Sequence, residues 1–206
     1  MTVILDLDHT LLDTSHLKQA MEDHAAKAGV PRDVFQKTYT ETVTGEQGTY
    51  NYELARHAAF MHRDSGVDES IILAELHAAL DTLPTLLFED SIPFLKKLRE
   101  RGDKIALLTF GNPKFQEEKV LRLNISEYFD TFIFSEHEKS SAAFNFEDGP
   151  ESWVFINDNP NEIRALREKF PTSRMIRIKR QGGKPFPEDQ DALDVETVAS
   201  LSDIHL

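Results

Sequence analysis

The chain has 206 residues, of which 40% are hydrophobic and 29% charged, a composition typical of one sizeable core or of a core with a smaller inserted domain. It contains no cysteine, which excludes disulfides, thiolate metal sites and a cysteine nucleophile. Acidic residues outnumber basic ones by 36 to 23, and the resulting net charge of −13 argues against a general affinity for nucleic acid, because such binding needs a cationic surface.

The chain opens with a short strand that runs into two carboxylates. Val3, Ile4 and Leu5 form an apolar run that predicts a buried strand, and Asp6 and Asp8 follow it. Side chains two residues apart in a strand share a face, so the two carboxylates start on the same side. Like charges this close are costly unless a cation relieves them, and Mg²⁺ is typically held by one or two carboxylates together with substrate phosphate. The alternative is an ordinary acidic strand end, since the pair alone is a weak signal.

A block of helices follows, up to about Phe88. Apolar residues at three- and four-residue steps predict four helices, over residues 15–28, 31–43, 50–61 and 72–83, the first of them capped by Ser15. No strand pattern interrupts the block. We therefore expect a separate all-helical unit inserted after the first strand.

Strands and helices alternate beyond Asp90. The patterns predict helices over 91–101, 114–123 and 161–170, and strands over 104–110, 131–135, 153–157 and 175–178. The run KIALLTF at 104–110 is continuously apolar, as expected of a strand covered on both faces. Such alternation predicts an α/β fold with a doubly wound, mainly parallel sheet.

Polar side chains collect at the carboxyl ends of the predicted strands, where ligands bind in open α/β sheets. A carboxylate there can act as a nucleophile, a second acid can exchange protons with a leaving oxygen, and a hydroxyl, a lysine and helix amides can hold phosphate oxygens. Mg²⁺ between carboxylates and phosphate would complete a site for phosphoryl transfer. The residues in these positions are Asp6, Asp8, Thr109, Gly111, Asn112, Lys139, Asn157, Asp158, Asn159 and Glu162.

Four segments resemble the four motifs of the haloacid dehalogenase-like phosphohydrolases. Residues 6–14 (DLDHTLLDT) are similar to the first motif, 108–112 (LTFGN) to the second, Lys139 to the third and 157–162 (NDNPNE) to the acidic fourth. Their order and intervals agree over nearly the whole chain, and the helical block lies where the family carries its C1-type cap. The resemblance implies a Rossmann-like catalytic core of residues 1–14 and 89–206 with a cap of residues 15–88.

The resemblance also implies roles for single residues. Asp6 would be the nucleophile and Asp8 the general acid/base. Asp6, Asp158 and the main-chain carbonyl of Asp8 would hold Mg²⁺, and Glu162 would support the metal from outside its ligand set. The groups that would bind the phosphoryl group are Thr109, Phe110, Gly111 and Lys139.

The sequence departs from the family's pattern at three places. His9 replaces the usual glycine of the first motif, and Asn157 replaces the usual glycine or aspartate before Asp158. The segment after Lys139 lacks the proline-containing pattern of capped members and is shorter. Lys114, close to the start of a predicted helix, is therefore an alternative to Lys139 as the phosphate-binding lysine.

The activity implied is that of a Mg²⁺-dependent phosphatase that hydrolyses a small phosphorylated metabolite through an aspartyl-phosphate. A phosphomutase would use the same chemistry, and a non-catalytic binding or regulatory protein of the same fold is the rival from another class. A dehalogenase is disfavoured, because Asp8 is of use chiefly where a leaving oxygen needs a proton. In the cap we expect Tyr50 and Tyr52, on a glycine-containing loop, to help select the leaving group.

We expect the protein to be cytoplasmic, as a monomer or homodimer, with no membrane or nucleic-acid partner. No run approaches the roughly 18 apolar residues of a membrane span, and the chain begins with a strand rather than a basic segment followed by an apolar one. An anionic substrate would need local help from a metal ion or from a few well-placed cations.

Overall fold

A six-stranded parallel sheet forms the centre of the computed structural model, which describes residues 1–44, 51–142, 144, 146–181, 183, 186–187 and 193–206. The strands are β1 (Thr2–Leu5), β2 (Lys104–Phe110), β3 (Thr131–Ser135), β4 (Trp153–Asn157), β5 (Arg174–Ile178) and β6 (Glu196–Val198). Their spatial order is β3-β2-β1-β4-β5-β6, and each neighbouring pair is parallel. The α/β class and the parallel sheet are confirmed.

In the described part of the chain, four helices form an insertion after β1, and three more connect the strands of the sheet. The inserted helices are α1 (Thr14–Lys27), α2 (Arg32–Thr44), α3 (Leu54–Ser65) and α4 (Glu69–Leu80). The others are α5 (Ser91–Glu100), α6 (Pro113–Leu123) and α7 (Pro160–Lys169). The insertion is confirmed; the division into domains at residues 15 and 88 stays a prediction, and α1 begins one residue before that boundary.

Both faces of the sheet are buried, because alternate strand residues join two different hydrophobic clusters. Leu5, Leu107 and Ile156 belong to the larger cluster, which also contains the cores of α5, α6 and the inserted helices. Ile4 and Phe155 belong to the smaller one, which packs against α7 and an aromatic group around Trp153. This two-sided burial explains why the central strands read as uninterrupted apolar runs.

The first inserted helix begins differently from the prediction. Asp13, rather than Ser15, caps α1: its carboxylate accepts a hydrogen bond from the His16 amide at 3.1 Å. Ser15 lies inside the first turn and is exposed. Asp13 is part of the first motif, so the chain passes directly from the predicted site into the inserted helices.

Most predicted helices and strands are confirmed, with bounds that agree within one or two residues. The element missing from the prediction is β6, at the edge of the sheet. The bounds of β2, β3 and β4 coincide with the predicted strands. Strand β6 was not predicted, because three largely exposed residues, Glu196, Thr197 and Val198, carry no apolar pattern. Within the described part of the chain, no helix has the length and apolar content to cross a membrane.

Candidate active site

One cavity of about 260 Å³ opens at the carboxyl ends of the strands. Parallel strands in this order bring the ends of β1 and β4 together at the point where the strand order switches. The cavity wall contains the predicted site residues Asp6, Asp8, Thr109, Phe110, Gly111, Lys139, Asp158 and Glu162. Side chains that are far apart in the sequence are therefore gathered in one place.

A buried ion pair lies at the base of the cavity. The Lys139 ammonium is 2.5 Å from Asp6 Oδ1 and 2.7 Å from Glu162 Oε2, and the Lys139 and Asp6 side chains are only 3% and 5% exposed. Asn157 donates a hydrogen bond to the same Glu162 oxygen at 2.8 Å, which gives this departure from the family pattern a structural role. Lys114, by contrast, is exposed and does not line the cavity.

The acidic residues of the cavity carry more negative charge than Lys139 offsets. Burial raises the pKa of Asp6 to about 6, against the opposing attraction of Lys139. Burial and the nearby Asp6 carboxylate raise the pKa of Asp158 to about 8. For Lys139, burial alone would lower the pKa, but Asp6 and Glu162 outweigh it and raise the pKa. A divalent cation among these carboxylates would favour their ionised forms.

The donor set fits Mg²⁺. Asp6 and Asp158 supply hard carboxylate oxygens, and the Asp8 carbonyl belongs to the same loop after β1. Across the described ranges, no three His, Cys, Asp or Glu side chains are arranged to hold a metal ion by themselves. Mg²⁺ usually completes its coordination with substrate phosphate and water, so a site with two carboxylates is sufficient.

Asp8 is held by side chains from two helices. The Lys119 ammonium is 2.6 Å and 2.7 Å from its two carboxylate oxygens, the Thr14 hydroxyl donates at 2.7 Å and Gln116 Nε2 donates at 3.1 Å. Burial alone would raise the pKa of Asp8, but the attraction of Lys119 and the hydrogen bonds from Lys119, Thr14 and Gln116 together lower the pKa to about 2. Asp8 is therefore ionised and fixed in direction in this arrangement.

Lys119 and Gln116 were not predicted. Both are buried on the inner side of α6, together with Val120 and Leu123. One stripe of the helix contains positions 116, 119, 120 and 123. A lysine and a glutamine in a stripe that is otherwise apolar indicate from the sequence that these two side chains have buried polar partners. A lysine in the buried stripe of a helix needs an acidic partner, and Asp8 is that partner.

Thr109 and Gly111, both predicted to bind phosphate, differ in whether their hydrogen-bonding groups already have a partner. The Thr109 hydroxyl lines the cavity, is fully buried and has no hydrogen-bond partner among the described residues, as expected of a group that waits for a ligand. The Gly111 amide instead donates to the Ser135 carbonyl at 3.0 Å. The first amides of α6 donate to the Asn112 side chain, so they too are already engaged.

His9 occupies a left-handed backbone conformation, with a φ of 58°. Glycine adopts this conformation without penalty, whereas another residue bears a cost of about 1 kcal/mol or more. This explains why a glycine is usual at this position. The His9 amide donates to the Leu12 carbonyl at 2.8 Å, which closes the turn, and the residue lines the cavity.

The inserted helices form the opposite wall of the cavity. Tyr52 lies there; its hydroxyl is 2.8 Å from His57 Nδ1 and its ring packs 4.9 Å from that of Phe115, while its part in selecting the leaving group stays a prediction. Tyr50 is outside the described residues. Sequence patterns did not identify the remaining members of this wall, because their position depends on how the inserted helices pack on the sheet: Leu17, Lys18, Met21, Tyr39 and, from the C-terminal segment, Phe186.

Comparison with known proteins gives a consistent result. A family model for haloacid dehalogenase-like hydrolases matches residues 1–168. Glyceraldehyde 3-phosphate phosphatase of Methanopyrus kandleri is 30% identical over 94% of this chain and 91% of that protein. Enolase-phosphatase E1 of Aquifex aeolicus is 24% identical over 99% of this chain and 98% of that protein.

Two solved structures share the fold. L-2-haloacid dehalogenase from Xanthobacter autotrophicus superposes with a TM-score of 0.63 at 17% identity, over 98% of this chain and 95% of that one. The magnesium-bound structure of YfnB from Bacillus subtilis superposes with a TM-score of 0.65 at 12% identity, again over 98% and 95%. At these identities the likeness concerns the fold alone.

Proposed function

The chain belongs to the haloacid dehalogenase-like hydrolase family. We propose that it is a phosphoric monoester hydrolase that uses Mg²⁺ and forms an aspartyl-phosphate on Asp6. The observation that carries this proposal is the cavity in which Asp6 lies 2.5 Å from Lys139 and shares a wall with Asp8, Asp158 and the Thr109 hydroxyl, for which the described residues offer no hydrogen-bond partner. The relatives named as phosphatases support a small phosphorylated substrate.

In the first step an Asp6 carboxylate oxygen attacks the phosphorus of the ester. A bond forms between Asp6 and phosphorus while the bond to the leaving oxygen breaks, and that oxygen takes a proton from Asp8. Lys139 and the Thr109 hydroxyl bind the non-bridging oxygens. Asp6, Asp158 and the Asp8 main-chain carbonyl would hold Mg²⁺, which would supply positive charge to stabilise the transferred phosphoryl group.

In the second step water attacks the aspartyl-phosphate. Asp8 accepts a proton from that water, inorganic phosphate leaves and the Asp6 carboxylate is restored. The ion pair with Lys119 suits this step, because it keeps Asp8 ionised and therefore able to accept a proton. In the first step Asp8 must carry a proton, so its carboxyl group has to leave Lys119 and turn toward the leaving oxygen.

The alternatives predict different products. A phosphomutase would return the phosphoryl group to an organic acceptor and release little inorganic phosphate. A dehalogenase would have no use for Asp8, which three side chains hold at the cavity. A non-catalytic protein gains no support from the family match or from the phosphatase relatives.

The test is phosphate release from p-nitrophenyl phosphate in the presence of Mg²⁺. Asp6→Asn removes the nucleophile, and we expect turnover to fall by roughly 10⁴-fold or more, as when other catalytic nucleophiles are removed. Asp81→Asn, at a side chain 72% exposed, is the matched control and should keep wild-type turnover. Wild-type turnover in Asp6→Asn would refute the proposal.

A further inference from the structure

Lys18 gives the cavity a positive charge on the wall formed by the inserted helices. It is the second member of the pair Leu17-Lys18 on α1, and both side chains line the cavity. The reacting groups, Asp6 and Asp158, lie on the sheet side of the same space. A substrate held by its phosphate at the sheet therefore extends its leaving group toward α1.

The three lysines of the cavity differ in what neutralises them. Lys139 is paired with Asp6 and Glu162, and Lys119 is paired with Asp8. Lys18 has no acidic partner among the residues that the structure describes. Its ammonium instead lies 4.4 Å from the centre of the Tyr39 ring, a cation–π contact that orients it without neutralising it.

The surroundings of Lys18 favour a pairing with an anion. The same wall contains the apolar or aromatic side chains of Leu17, Met21, Tyr39 and Tyr52. Charge pairs are stronger where little water competes with them, and a charged partner of an ammonium forms the stronger class of hydrogen bond. If the leaving group were neutral, the substrate would offer no charged acceptor to the three N–H donors of the Lys18 ammonium.

We propose that Lys18 binds a second anionic group on the leaving group, so that the substrates are small phosphate monoesters that also carry a carboxylate or another phosphate. This inference rests on the proposed phosphatase function. The cavity of about 260 Å³ lies below the roughly 300–1,000 Å³ of common ligand pockets, which suits a small leaving group. In a chain of net charge −13, a molecule with an anionic group at each end needs local cations at both of its ends.

Phosphoglycolate and hydroxyethyl phosphate form a matched pair of probes, because they have the same length and differ in a carboxylate against a hydroxymethyl group. We expect the wild type to have a kcat/KM for phosphoglycolate at least about tenfold higher, mostly through a lower KM, as a charge-assisted contact provides. Ethanediol bisphosphate is a third probe, in which a second phosphate replaces the carboxylate. Preference for either anionic probe supports the proposal and identifies which anion is used.

Lys18→Met removes the charge at nearly the same length, and the ratio of the two kcat/KM values should fall at least about tenfold. Lys18→Arg should restore most of the ratio. Lys27→Met, on the exposed end of the same helix and away from the cavity, is the control and should keep the wild-type ratio. Circular dichroism checks that each variant is folded.

Two results would overturn the assignment of Lys18: a wild type without preference for either anionic probe, or an unchanged ratio in Lys18→Met. Both can occur in an active phosphatase, so they leave the proposed function intact. If the wild type hydrolysed no phosphate ester at all, the proposed function itself would fail, and the assignment of Lys18 with it.

Discussion

Asp8, the proposed general acid/base, is held partly by residues that lie outside the four motif segments. Its partners are Thr14 at the start of α1, and Gln116 and Lys119 on α6. The first two acids of the site follow from the sequence, because residues after a buried strand meet at one edge of the sheet. The position of Lys119 can be predicted only from the fact that a charged residue interrupts an apolar helical stripe. The position of Lys18 cannot be predicted locally, because it depends on how α1 packs over the cavity.

Lys119→Met tests the dependence of Asp8 on its buried partner. Without the ammonium, the carboxylate loses its strongest contact, and the attack of water on the aspartyl-phosphate should slow by roughly 10²-fold, a typical loss for general base catalysis. With p-nitrophenyl phosphate the first step needs little proton transfer, because nitrophenolate is a good leaving group. Phosphorylated enzyme should therefore accumulate in the variant, as measured in acid-quenched samples.

Lys114→Met is the matched control for this variant, since Lys114 lies on the same helix but is exposed. It should keep wild-type turnover, which would also remove it as the alternative phosphate-binding lysine. Turnover of Lys119→Met within about twofold of the wild type would show that Asp8 works without its partner.

At the scale of elements, the inserted helices are organised around His57 on α3. This side chain is fully buried; Thr38 Oγ1 on α2 is 3.1 Å from Nε2, and the Tyr52 hydroxyl is 2.8 Å from Nδ1. The rings of Phe35 and Tyr39 surround it. His57 thus joins the core of the inserted helices to Tyr52, which lines the cavity.

Stability should fall with acid because of His57. Burial lowers its pKa from 6.5 to about 4. Between these values the unfolded chain binds a proton that the folded chain does not, so the contribution is fully present above about pH 6.5 and is lost as pH falls through about 4. The shift corresponds to roughly 3 kcal/mol in the free energy of unfolding.

Urea unfolding of the wild type and His57→Gln, followed from about pH 7 to pH 4, measures this effect. The free energy of unfolding of the wild type should fall more steeply with acid than that of the variant, because only the wild type has the buried imidazole. His62→Gln, at an exposed position of the same helix, should behave as the wild type. Parallel curves for wild type and His57→Gln would contradict the assignment.

The strands that sequence patterns predict well are those with uninterrupted apolar runs. Strands β2, β3 and β4 are continuous or nearly continuous apolar runs, and their predicted bounds agree with the structure. The short strand β6 is mostly exposed at the edge of the sheet, so burial imposes no pattern on it. The cap of α1 was placed at Ser15 instead of Asp13, since both residues are good N-caps and only the geometry separates them.

At the scale of the whole molecule, three lysines of an acidic protein meet four carboxylates at one cavity. Lys18, Lys119 and Lys139 all line it, although the chain has a net charge of −13. The sheet topology places Asp6 after β1 and Asp158 after the neighbouring β4, where the strand order switches. The inserted helices line the opposite side of the cavity, so under the proposed function one wall would serve the chemistry and the other would recognise the leaving group.

The central claim is that Asp6 carries the phosphoryl group, and trapping the phosphorylated enzyme tests it most directly. The reaction with p-nitrophenyl phosphate and Mg²⁺ is quenched with acid and treated with borohydride, which reduces an aspartyl-phosphate to homoserine. Peptide mass spectrometry then locates the change. We expect homoserine at position 6 in the wild type and in greater yield in Lys119→Met, and none when EDTA replaces Mg²⁺. Homoserine at position 8 or 158, or steady turnover with position 6 unmodified, would contradict the account.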